Sequence, residues 1–180
     1  TEQKLTRIWY GGAAPPFALR ALEPVYRGAH ELNRWLGIRR QPDDLARAYI
    51  IVVGNLTAGG SGKTPLVVRL CRLLTQAGFR PGVVSRGYGR EGQDLRVVSA
   101  GSDPRQVGDE PLLIARRADV PVVVAADRCA AARHLLERGV DVIVADDGLQ
   151  HYRLPRNLEI CVVDGSRVFG NGRSLPAGPL

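Results

Sequence analysis

Gly62, Lys63 and Thr64 close the stretch GNLTAGGSGKTP, residues 54 to 65, and their types and spacing suit a loop that holds phosphate. Such loops aim several backbone N–H groups at one anion from the positive end of a helix. Glycine is needed where φ is positive or where a Cβ would keep the phosphate out. Gly59, Gly60 and Gly62 supply that freedom. The Lys63 ammonium would bridge the outer phosphates, and the Thr64 hydroxyl would reach a magnesium ion. Two positions break the usual G-x-x-x-x-G-K-[ST] spelling. Thr57 stands where the first glycine belongs, and Pro65 has no N–H to offer. The candidate cradle therefore comprises Thr57, Ala58, Gly59, Gly60, Ser61, Gly62, Lys63 and Thr64.

A second pattern is VIVADD, residues 142 to 147. Four apolar residues ending in Asp146 match a strand that delivers a carboxylate to the metal beside a nucleotide. Bases of the guanine type are usually read by N-K-x-D. Lys4 and Lys63 are the only lysines, and neither has that context, so ATP is expected over GTP.

These groups need a scaffold that brings strand ends together. From Ala48 onward, short β-branched runs alternate with helical patterns, which signals an α/β fold with a mainly parallel sheet flanked by helices, of the P-loop NTPase type. Strands are expected at 49–53, 82–85, 95–99, 120–126, 141–147 and 158–164. Helices are expected at about 63–77, 109–117 and 127–139. In open α/β sheets the carboxyl edge binds ligands, and both late strands end there in acidic residues.

The first 45 residues form a separate amphipathic helical segment ahead of a core at 46–180. Ala18, Leu22, Val25, Ala29, Leu32 and Leu36 share one helix face, and Arg20, Arg27 and Arg34 recur on another. Pro24 is expected to break or kink this helix. The pattern fits either a helix docked on the core or a membrane-surface element.

Composition narrows the partners. The balance of 25 basic against 18 acidic residues gives +7, which favours an anionic partner. The arginines are dispersed and no recognition motif interleaves them with aromatics, so nucleic acid is not expected. Cys71, Cys129 and Cys161 form no C-x-x-C and read as buried thiols in a reducing compartment. No apolar run reaches the roughly 18 residues needed to cross a bilayer, and no cleaved leader is evident. A soluble or surface-bound cytosolic protein is expected.

GNLTAGGSGKTP, SRGYGR (85–90), VGDEP (107–111), DDGLQHYRL (146–154) and RSLPAGPL (173–180) occur in an order that resembles the tetraacyldisaccharide 4′-kinase family, the lipid A 4′-kinases. The resemblance runs from about residue 7 to the end. It implies transfer of the ATP γ-phosphoryl group to the 4′-hydroxyl of a tetraacylated glucosamine disaccharide 1-phosphate, at the cytoplasmic face of the bacterial inner membrane. It also favours membrane contact by the N-terminal segment. By the same resemblance, Asp109 would accept the sugar hydroxyl proton, and Glu110 would join Thr64 and Asp146 around Mg²⁺. Asp147, Gln150 and His151 would complete the polar cluster, while Arg86 and Tyr88 would contact the disaccharide. The family continues into a second lobe after PAGPL, so the chain looks like the N-terminal portion of a longer enzyme, with weak nucleotide binding and little activity alone. A regulatory or metal-chaperone NTPase is the alternative reading, but it has no need of DDGLQH.

Overall fold

The computed structural model describes residues 2–57 and 62–180. Thr1 and the loop residues Ala58, Gly59, Gly60 and Ser61 lie outside the described residues. The strands are β1 Tyr49–Gly54, β2 Pro81–Ser85, β3 Arg96–Val98, β4 Val122–Val124, β5 Val142–Asp146 and β6 Leu158–Cys161. They form one sheet in the order β3-β4-β2-β5-β1-β6. All pairings are parallel except that of β3 with β4 at one edge. The helices are α1 Glu2–Tyr10, α2 Phe17–Arg39, α3 Lys63–Gln76, α4 Pro104–Val107, α5 Asp109–Ala118 and α6 Arg128–Glu137.

Side-chain alternation along each strand divides the core in two. Ile50, Val52, Val84, Ile143 and Ala145 pack with Cys129, Ala132 and Leu135 of α6 on one face. Ile51, Val53, Val83, Val142 and Val144 pack with Val67 and Cys71 of α3 and Ile114 of α5 on the other. The same parity sends Asp146 and Ser85 to the α3 and α5 face. Because Val84 pairs with Ala145, these two polar residues stand opposite each other at the strand ends.

Three strands are shorter than their apolar runs. β6 ends at Cys161: one further bond, Val162 N–H to the Gly54 carbonyl, closes the pairing where β1 itself ends. β4 gives way to single bonds from Ala125 to Ser85 and from Ala126 to Gln93, and β3 is held only at 96–98 by its antiparallel partner. Cys161 is exposed on the edge strand, contrary to the expectation of three buried thiols. Cys71 is fully enclosed, and burial pushes its thiol up to about 12.

Pro24 does not break α2, which runs unbroken from Phe17 to Arg39. The ring removes only the N–H that would reach the Arg20 carbonyl. Arg20 is exposed, so water can serve that carbonyl. The helix also turns its apolar stripe outward: Leu22, Val25 and Leu32 are 52%, 66% and 57% exposed. The face toward the protein is largely polar. Glu23 accepts from Arg173 Nη1 at 2.9 Å and from the Ser174 N–H at 3.1 Å. His30 Nε2 pairs with the Tyr152 hydroxyl at 2.9 Å, and Gln41 Nε2 donates to the Tyr152 carbonyl at 2.9 Å.

Gly37 is the point of closest approach, since a Cβ there would meet the Tyr152 Cβ at 2.5 Å. Gly28, in the same helix, has open space around it. Gly28→Ala should therefore stabilise the fold by about 0.5–1 kcal/mol through helix propensity. Gly37→Ala should destabilise it by about 1–2 kcal/mol, as overpacking outweighs that gain. Urea midpoints moving in opposite directions would bear this out, and parallel shifts would refute the contact.

Candidate functional site

The carboxyl edge of β1 and β5 gathers the chemistry. These strands are neighbours, with Val53 level with Asp146, so the loop after β1 and the carboxylate ending β5 emerge side by side. Gly62 opens α3 in the left-handed region at φ 75°, a conformation that favours glycine and starts the helix beside the strand end. Lys63 and Thr64 then fall in the first turn, where α3 offers its positive end.

Lys63 Nζ donates to Asn55 Oδ1 at 2.6 Å and pairs with Asp147 Oδ1 at 3.1 Å. Asn55 Nδ2 donates in turn to the Thr57 carbonyl. The ammonium is thus tethered from both sides, by the loop after β1 and by the loop after β5. Asp147 adopts a left-handed backbone at φ 54°, which a short polar residue tolerates better than most. Its side chain consequently leaves the strand parity and turns to Lys63.

Asp146 is fully buried. Its Oδ2 accepts from the Ser85 hydroxyl at 3.2 Å, whereas Oδ1 is enclosed without a hydrogen-bond partner among the described residues. Burial, with the nearby charges of Glu110 and Asp147, raises its pKa to about 6, against the opposing pull of Ser85 and Lys63. A buried carboxylate with one orphaned oxygen is costly and is suited to a hard cation. Glu110 approaches from α5, where Asp109 and Glu110 form the first turn. Gly108 makes this possible. Its φ is 90°, and a Cβ there would come within 3.1 Å of Gly87 Cα. A Cβ on Gly87 would in turn strike the Val107 carbonyl at 2.7 Å. The VGDEP and SRGYG loops therefore touch backbone to backbone.

The remaining candidates do not share one place. Arg86 and Tyr88 line one of about 400 Å³ with Arg90 and Gln93, and Tyr88 is 89% exposed. Gln150 lines a larger groove of about 680 Å³ beneath α2, with Tyr26, Arg27, Arg34 and Leu149. His151 follows Gln150 but lies beside Asp127 and Cys129 at the start of α6. Its Nε2 is enclosed without a partner. Burial, reinforced by Arg128, lowers its pKa to about 4, so the ring is neutral at ordinary pH. Because the folded value lies below the usual 6.5, its stabilising contribution is complete above that pH and fades as pH falls toward 4.

Four contributors carry no signal in spacing alone. Asn55 is a loop asparagine until Lys63 folds back on it, and Ser85 gains meaning only because β2 pairs with β5. Tyr152 ties the loop after β5 to α2. Arg128 is 93% buried by position, with 7% of its surface exposed, and Nη2 donates to the Asp147 carbonyl at 3.1 Å while Nε has no partner. A hint was available for three of them, since Asn55, Ser85 and Tyr152 lie within quoted motifs, whereas Arg128 lies in none.

Comparison with known proteins fixes the kinship. The family model of tetraacyldisaccharide-1-P 4′-kinase matches residues 16–180. The chain belongs to that family. A tetraacyldisaccharide 4′-kinase of Stenotrophomonas maltophilia is 52% identical over 178 residues, covering 96% of this chain and 51% of that protein. One from Shewanella baltica is 49% identical over 180 residues, covering 98% of this chain and 52% of its own length. The chain thus spans about half the length of the curated family members it matches. A crystal structure of LpxK from Aquifex aeolicus in complex with ATP superposes with a TM-score of 0.75 at 31% identity, covering 91% of this chain and 53% of that one. The P-loop kinase fold read from the sequence is the fold this family shares.

Proposed function

We propose that this chain is the nucleotide-handling half of a kinase that transfers the ATP γ-phosphoryl group to the 4′-hydroxyl of a tetraacylated glucosamine disaccharide 1-phosphate. The observation that carries the reading is the convergence of Lys63, Asp146 and Glu110 at one sheet edge, within a family of that name. The ATP complex of the Aquifex aeolicus relative supports the choice of nucleotide.

Lys63 exchanges Asp147 and Asn55 for the outer phosphates and neutralises charge there as the bond to the leaving oxygen lengthens. The loop amides of residues 57–62 cradle the remaining phosphate oxygens. The orphaned Asp146 Oδ1, the Glu110 carboxylate and the Thr64 hydroxyl are all oxygen donors, a set that fits Mg²⁺. That ion supplies charge neutralisation across the phosphates when bound. Asp109, at the exposed start of α5, takes the proton of the attacking 4′-hydroxyl, assistance worth roughly 10²–10⁴-fold. Arg128 and His151 border the same edge, and Arg86 and Tyr88 hold the sugar phosphate end.

The outward apolar stripe of α2 supports contact with a membrane surface. No described helix is long and apolar enough to cross a bilayer; the attachment in this reading is peripheral, on the cytoplasmic side. Labelled ATP and a vesicle-borne disaccharide 1-phosphate acceptor test the reading in the full-length enzyme. Label should appear on the acceptor, and replacing Leu22, Val25 and Leu32 together with serine should reduce both flotation with vesicles and transfer. Label released only as inorganic phosphate would refute the kinase, and unchanged flotation would refute the membrane contact.

A further inference from the structure

A second cluster of ligating groups lies on the opposite face of the sheet from Asp146, at the start of α6. One ligand atom each from Asp127, Cys129 and His151 lie within 4.8 Å of one another. They come from two separate segments, the turn into α6 and the loop after β5, so their meeting is a product of the fold. Cys129 is fully buried, with its sulfur 3.5 Å from the Arg153 carbonyl and beside the Asp127 carboxylate. His151 Nε2 is enclosed and has no hydrogen-bond partner among the described residues. Asp127 spends one carboxylate oxygen on the Cys129 N–H at 2.9 Å, as the cap of α6. That bond fixes the carboxylate directly beside the thiol.

We propose that Asp127, Cys129 and His151 form a binding site for a thiolate-seeking divalent ion, of which zinc is the type. Carboxylate, thiolate and imidazole are the mixed set that zinc accepts, with a fourth position left to water. Bond lengths of about 2.0–2.3 Å around a tetrahedral ion need ligands roughly 3.3–3.8 Å apart. The cluster is within about an ångström of that spacing, and the exposed Asp127 is the member free to close it. The thiol proton leaves to solvent as the sulfur–metal bond forms.

Charge around the cluster selects the ion. Arg153 and Arg133 act on Cys129, and Arg128, Arg153 and Arg156 act on His151. This cationic surround repels an ion held by electrostatics alone, such as Mg²⁺, and leaves those that bond strongly to sulfur and nitrogen. The two metal requirements of the chain are thereby segregated, with oxygen donors on the α3 and α5 face and sulfur with nitrogen on the α6 face. An ion here would also immobilise His151 in the loop that follows Asp146 and carries Asp147.

Titration of the protein with Co²⁺, without nucleotide or acceptor, tests this independently of the kinase reading. The expected result is a near-ultraviolet thiolate-to-cobalt charge-transfer band that Zn²⁺ abolishes and excess Mg²⁺ does not. The band should vanish in Cys129→Ser and persist in Cys161→Ser, which removes the exposed thiol. Asp127→Asn keeps the helix cap and should weaken Co²⁺ affinity by at least roughly tenfold, as should His151→Ala. Absence of the band, its survival in Cys129→Ser, or its loss in Cys161→Ser would overturn the site. Unchanged affinity in both Asp127→Asn and His151→Ala would do the same, even if Cys129→Ser failed to fold.

Discussion

Lys63→Ala should lower γ-phosphoryl transfer by the full-length enzyme by about 10³-fold or more while leaving the fold intact. Removing one well-placed donor to developing charge typically costs about 10²–10³, and this ammonium serves the ground state as well. The stability side follows from geometry. Lys63 pairs with Asp147, whose side chain is 60% exposed, so the ion pair contributes at most about 1 kcal/mol. A large kinetic loss beside a nearly unchanged urea midpoint separates catalysis from folding. Normal turnover in this variant would remove the loop from the mechanism.

Asp146→Asn should do two opposite things: abolish activity and stabilise the ligand-free protein. A folded pKa of about 6 against 3.8 means the folded state binds a proton more tightly than the unfolded chain. Folding therefore loses stability as pH rises from about 4 to 6, and above that the buried charge costs roughly 3 kcal/mol. Asparagine fills the same space without the charge and can donate to Ser85. Its stabilising effect should approach that figure at neutral pH in the presence of chelator and disappear below about pH 4. Denaturation curves at several pH values measure it directly. A variant less stable than its parent at neutral pH would show that the carboxylate is already compensated.

Both predictions rest on residues that could be read before any fold was known. Lys63 and Asp146 announce themselves because a glycine-rich turn between a strand and a helix, and an acid ending a buried run, each have a local physical cause. The sheet was legible for the same reason, since β-branched runs and helical periods are local patterns. What lay beyond reading was relative placement. Periodicity told which residues of α2 share a face, but the direction of that face depends on Glu23, His30 and Gly37 finding Arg173, Ser174 and Tyr152 over a hundred residues away. Pro24 misled because an exposed helix can give one carbonyl to water. Cys161 misled because an apolar strand at a sheet edge is covered on only one side. Gln150 and His151 are adjacent in DDGLQH, yet Gln150 lines the groove beneath α2 while His151 packs beside Asp127 and Cys129, a split that a turn can make and a motif cannot reveal.

The bare contact between Gly87 and Gly108 has a bearing on redesign. With no side chain separating them, the loop bearing Arg86 and Tyr88 and the turn bearing Asp109 and Glu110 are geared together. An attempt to retune acceptor choice by grafting a foreign sequence onto either one alone would jam against the other. Exchanges that keep activity should come as matched pairs, with the glycines retained at the point where the two mesh.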